Sequence, residues 1–75
     1  MIEIKTYRLR KCSDISMEYS YFKVLDESEE TIFDVSKSDE GEFRILFYEG
    51  ASSKCMTIAM LNAIIEDAKD KIERD

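Results

Sequence analysis

The chain contains no histidine, no proline and no tryptophan, and it has only two glycines and two cysteines among its 75 residues. Each absence excludes something. Without histidine the commonest general base is missing, and with it go the usual hydrolase triads and most zinc sites. Cys12 and Cys55 form neither a CxxC pair nor a disulfide framework, so they read as passive thiols of a reducing compartment. No apolar run approaches the roughly 18 to 20 residues of a membrane helix. The opening "MIEIKTYRLRK" alternates where a secretory signal would carry an unbroken apolar stretch. The expectation is a cytoplasmic protein that does not engage a membrane.

Apolar residues make up 44% of the chain and charged residues 37%, which with so little glycine and proline describes a folded globular domain, not a disordered tail. The length suits one domain over residues 1–75, near the size where a core is marginal and dimerisation is a common supplement.

The net charge of -6 is unevenly spread: residues 1–25 carry +2, residues 26–50 carry -7 and residues 51–75 carry -1. Such a middle segment repels nucleic acid and acidic membranes and favours encounter with basic partners.

Hydrophobic periodicity predicts four strands and a helix. Ile2 to Arg10 alternates with a change of phase near Thr6, the pattern of a strand with a bulge or bend. Met17 to Leu25 has two apolar faces, Met17, Tyr19 and Tyr21 on one and Phe22 and Val24 on the other. After "DESEE", read as a solvated connection, Thr31 to Ser36 sets Phe33 and Val35 against Ile32, Asp34 and Ser36. In "SKSDEGEF", Asp39 and Glu40 suit a type I turn and Gly41 the left-handed position that closes a bulged hairpin. Glu42 to Tyr48 returns with Phe43, Ile45 and Phe47 towards the core and Arg44, Leu46 and Tyr48 away from it.

From Thr57 the period changes to about 3.6, with Ile58, Leu61, Ile64, Ile65, Ala68 and Ile72 forming an apolar stripe. Thr57 suits the N-cap, and Met56 and Leu61 are spaced for a hydrophobic staple. The predicted fold is α+β, a four-stranded antiparallel meander followed by one C-terminal helix packed on one face. Four strands about 4.8 Å apart make a sheet wider than the roughly 10 Å that one helix covers. The opposite face is left bare, with Tyr19, Tyr21, Ile32, Leu46 and Tyr48 as its apolar candidates.

The sequence offers little catalytic chemistry. Lys54 beside Cys55 would favour a thiolate, but no base or orienting partner accompanies it, so a Cys55-dependent enzyme ranks third among the functional readings. Glu29 and Glu30 as an acid–base pair lack a cleft or cofactor loop. An EF-hand count from Asp26 or Asp34 puts Thr31 or Asp39 where glycine is required, so no metal and no cofactor are expected. "GASSKC" has too few glycines for a phosphate loop and follows its lysine with cysteine. Lys5, Arg8, Arg10 and Lys11 around Tyr7 form a basic strand, yet the acids that follow argue against nucleic acid and for pairing with acidic groups elsewhere on the same surface or on a second subunit.

The preferred reading is a non-catalytic interaction module, in its most concrete form an inhibitor or immunity protein that neutralises a basic protein partner such as a nuclease toxin. Its contacts are expected from Asp26, Glu27, Glu29, Glu30, Asp34, Asp39, Glu40 and Glu42, for steering, and from Tyr19, Tyr21, Leu46 and Tyr48, for anchoring. The alternative is a structural subunit of a larger assembly, and the bare face also offers a homodimer contact.

Overall fold

The computed structural model describes residues 1–16 and 18–74. In chain order these form β1 (Ile2–Glu3), β2 (Arg8–Cys12), β3 (Tyr21–Leu25), β4 (Thr31–Lys37), β5 (Phe43–Phe47), a 3-10 turn (Glu49–Ser53), β6 (Lys54–Cys55) and α1 (Ile58–Arg74). Strands β2 to β5 pair antiparallel in sequence order, the expected meander with its helix. Met17, expected to open the second strand, lies outside the described residues.

The register sets two faces. Phe22 stands opposite Val35, Val24 opposite Phe33, Phe33 opposite Phe47 and Val35 opposite Ile45, so this row faces one way. Phe22, Val24, Phe33 and Val35 are buried beneath α1 with Ile45 packed against them, whereas Phe47, expected towards the core, lies on the edge strand and stays exposed. The helix contributes Ile64, Ala68 and Ile72, all fully buried, with Met60 and Leu61 half-buried beside them. Ile58, expected in the stripe, is exposed. It opens the first turn on the side turned from the core, and the row that meets the core runs 61, 64, 68, 72. Phe33 and Phe47 add a tilted ring pair across the strands, with centroids 5.9 Å apart.

Thr57 caps the helix as its sequence predicts. Its Oγ1 accepts the Met60 N–H at 3.0 Å and its carbonyl accepts the Leu61 N–H at 3.0 Å, satisfying donors that a helix start leaves open. Met56 and Leu61 both pack against the core, as a staple requires.

Three further features differ from the expected pattern. The first strand is two, because the phase change at Thr6 is a full break. Glu27 accepts the N–H groups of Lys5 (2.6 Å) and Thr6 (2.8 Å), holding the chain off the ladder. That break frees β1 to pair parallel with β6, Ile2 with Lys54 and Glu3 with Cys55. Ile32, expected on the bare face, is buried in the core at 3% exposure. A register shift between Val24 and Leu25 skips it, and the extra residue of such a bulge turns inward, so that Ile32 and Phe33 are both covered. Tyr19, also expected on the bare face, packs against the helix-side core with Lys37 Nζ 4.8 Å from its ring centre. It precedes β3, so strand alternation does not reach it.

Candidate functional site

The acidic residues do not form one patch. Residues 26–30 and 38–42 are the turns at the two ends of β4, roughly 20 Å apart for a seven-residue strand. At the first turn the carboxylates have partners inside the protein. Asp26 is buried and ion-paired with Lys54, whose side chain is only 9% exposed, and Glu30 lies 3.1 Å from the same ammonium. Asp26 Oδ1 also accepts the N–H groups of Ser28 (2.9 Å) and Glu30 (3.0 Å). Glu27 holds the Lys5 and Thr6 amides, and Glu29 meets Arg8 at 2.5 Å. The hydrogen bond from Lys54 lowers the Asp26 carboxyl below its ordinary range, and the Thr6 and Lys5 amides lower that of Glu27.

Arg8 therefore belongs to an internal pair, the first of the two placements expected for the basic strand. At the far turn Asp39, Glu40 and Glu42 are exposed, and no cation among the described residues comes within ion-pair distance of them.

Asp34 is different again. It was expected to present its charge to solvent, but it is 7% exposed, because it sits on the central strand β4 between Lys23 and Leu46. Alternation from the buried Phe33 and Val35 places it on the sheet face that α1 leaves open. Tyr48 donates its hydroxyl to Asp34 Oδ2 at 3.0 Å. The other oxygen, Oδ1, is buried and has no hydrogen-bond partner. Burial raises the Asp34 carboxyl above its ordinary range, against the opposing effects of Tyr48 and Lys23.

Around Asp34 the open face carries a depression of about 230 Å³ lined by Asp14, Tyr21, Asp34, Ser36 and Leu46. Leu46 is 63% exposed and Tyr21 and Tyr48 are half-buried. Lys23 Nζ lies 6.0 Å from the Tyr48 ring centre. Of the four expected anchors Tyr21 and Leu46 line the depression, Tyr48 joins it only through its bond to Asp34, and Tyr19 lies elsewhere. Asp14 was missed, and a turn aspartate two residues before a serine is its only sequence signal. Asp14 accepts the Ser16 N–H and hydroxyl, each at 2.9 Å, which holds its side chain in place.

The remaining chemistry is sparse. Cys12 and Cys55 are both free thiols. The cation that would activate Cys55 is engaged elsewhere, since Lys54 Nζ is held by Asp26 and Glu30. Among the described residues no group of three or more cysteines and carboxylates is placed to hold a metal ion. No helix among them is long and apolar enough to cross a membrane. Comparison with family models, with characterised proteins and with solved structures finds no match for this chain.

Proposed function

We propose that the protein is a non-catalytic interaction module that receives a basic protein partner on the open face of its sheet. Its most concrete form is an inhibitor or immunity-type protein that occludes a basic enzyme such as a nuclease. One observation carries this reading. A buried carboxylate with one oxygen unpartnered forms part of the wall of an open depression at the centre of that face.

A buried acceptor left unmade is costly, and a charged donor from outside would satisfy it with one of the stronger kinds of hydrogen bond. A guanidinium or ammonium group entering over Asp34 would meet Asp14 and Ser36, while its methylene stem lay between Tyr21 and Leu46. Arg10, Lys23 and Arg44 share the face by strand alternation, so they would fix the partner's orientation, whereas long-range attraction comes from the net charge of -6.

Titration of the labelled protein with an arginine-containing peptide tests the reading by amide NMR. Shifts are expected at Tyr21, Asp34, Ser36 and Leu46, weakening as salt is raised and lost in Asp34→Asn. Shifts confined to the two acidic turns, or equal shifts with an acidic peptide, would overturn it. The alternative, a permanent structural subunit, draws support from the exposure of Leu46. In that case Tyr48→Ala would cost assembly and stability together, while a transient binder would keep its fold.

A further inference from the structure

The two edges of the sheet are not alike. Strand β2 closes one side with Arg8, Leu9, Arg10, Lys11 and Cys12, and three cations in five residues are a usual defence against edge pairing. A two-fold axis through Arg10 would also set guanidinium against guanidinium.

Strand β5 closes the other side with Phe43, Arg44, Ile45, Leu46 and Phe47. It has one charge and no proline, and Phe47 is 68% exposed. Its outward backbone groups follow from two bonds at its ends. The Tyr48 N–H donates to Ile32 O at 3.1 Å, and Ser38 N–H donates to Glu42 O at 2.8 Å. Alternation along an antiparallel strand then assigns Arg44 and Leu46 to the ladder with β4. The N–H and C=O groups of Phe43, Ile45 and Phe47 point away from it.

We infer that this edge pairs with a second copy of the chain, β5 antiparallel to β5, about a two-fold axis through Ile45. That register makes the four-stranded sheet one of eight strands. On the helix side Phe43 meets Phe47 of the second copy, at both ends of the contact, and the exposed Phe47 rings gain cover. On the open side Arg44 lies opposite Leu46, and Glu42 lies opposite Tyr48. No like charges stand directly opposite, which is the complementarity that β2 lacks. The pairing stands on the edge alone and does not depend on the open face receiving a basic partner.

The purified full chain tests it without any partner. Sedimentation equilibrium is expected to show a monomer–dimer equilibrium. Amide exchange at Phe43, Ile45 and Phe47 is expected to slow as protein concentration rises, a readout that a dimer through the open face would not give. Leu46→Arg puts two arginine pairs directly opposite one another in the dimer and is expected to weaken it about tenfold. Position 46 is exposed, so the fold should remain. Adding Arg44→Glu to Leu46→Arg turns those pairs into opposite charges and is expected to restore the dimer. A chain that stays monomeric at millimolar concentration would overturn the inference, as would a dimer in which those three amides exchange freely, or one that Leu46→Arg leaves untouched.

Discussion

The turns at the two ends of β4 have the same backbone and different uses. In the first, the Asp26 N–H donates to Glu30 O and the Glu29 N–H to Asp26 O, each at 3.0 Å. In the second, the Ser38 N–H donates to Glu42 O and the Gly41 N–H to Ser38 O, at 2.8 and 2.9 Å. Both are three-residue hairpin loops with a left-handed residue in the third place, Glu29 at φ 65° and Gly41 at φ 88°. In both, the side chain of the opening residue accepts an amide from the closing one, Asp26 from Glu30 and Ser38 from Glu42. Yet the first turn directs its carboxylates to Lys54, Arg8 and two free amides, while the second leaves its own in solvent. Acid content alone therefore says little about surface charge. What decides is whether the rest of the chain delivers a cation or an open N–H to the same end of the sheet.

The largest effect should come from removing the feature the second turn lacks. Asp26→Ala leaves the buried Lys54 ammonium with only the exposed Glu30 and opens two turn amides. The expected loss is about 3 kcal/mol in urea unfolding at neutral pH. Asp26→Asn keeps an oxygen for the turn amides and should lose less.

The same pair gives a pH dependence. Asp26 and Glu27 have folded carboxyl pKa values below their unfolded ones. Their contribution is complete above the ordinary carboxylate range and is lost as pH falls through the lowered values. Asp34 has the opposite sign. Its folded value is raised by burial, so its ionised form opposes folding, and stability is gained as pH falls through that raised value. Unfolding measured from pH 7 downwards should show the Asp34 gain first and the Asp26 and Glu27 loss at lower pH. Asp34→Asn should abolish the gain, and Asp26→Ala should flatten the loss.

A smaller effect separates the two left-handed residues. Gly41→Ala places a β-carbon at positive φ with nothing within 4 Å of it, so backbone strain alone acts and the expected loss is about 1 kcal/mol. Glu29→Gly relieves the corresponding strain and loses only an exposed ion pair with Arg8. The expected change there is a gain of less than about 1 kcal/mol. Equal losses at both positions would mean that the Glu29 side chain, and not the conformation, dominates at the first turn.

The difference in legibility between the turns has a physical cause. Gly41 announces a left-handed position because glycine has no β-carbon to clash, and the second turn could be read from the eight residues of "SKSDEGEF". Glu29 announces nothing, since a glutamate adopts positive φ only when its surroundings enforce it. The strand faces at β5, the helix cap at Thr57 and the order of the meander were local patterns too, and all were readable.

The parts that were missed depend on distant partners. Lys54 reaches Asp26 across 28 positions, and β1 pairs with β6 about 50 positions along the chain. Ile32 changes faces at a bulge that alternation cannot detect. At the candidate site Tyr21, Leu46 and Tyr48 were legible from period two. The unpartnered oxygen of Asp34 was not, because it follows from how closely neighbouring strands cover one carboxylate.

The smallest expected effect belongs to the far turn. Replacing Asp39, Glu40 and Glu42 together, as Asp39→Asn, Glu40→Gln and Glu42→Gln, removes three charges from exposed positions and leaves the Ser38–Glu42 backbone bond intact. The stability change should stay within about 0.5 kcal/mol. Like-charge repulsion among the three also disappears, so a slight gain is as compatible with the geometry as no change. A loss comparable with that of Asp26→Ala would mean that the far turn has internal partners after all. Association gives the sharper contrast, because charges without internal partners still act at a distance. The same triple replacement should slow the encounter with an arginine-containing peptide at low salt and leave it unchanged at high salt, where screening shortens the reach of exposed charges to about 3 Å at 1 M. Removing Glu29, whose field Arg8 partly cancels, should affect that rate less than removing any one of the three. Stopped-flow mixing across a salt series measures both, and a larger effect at Glu29 would reverse the division of labour between the two turns.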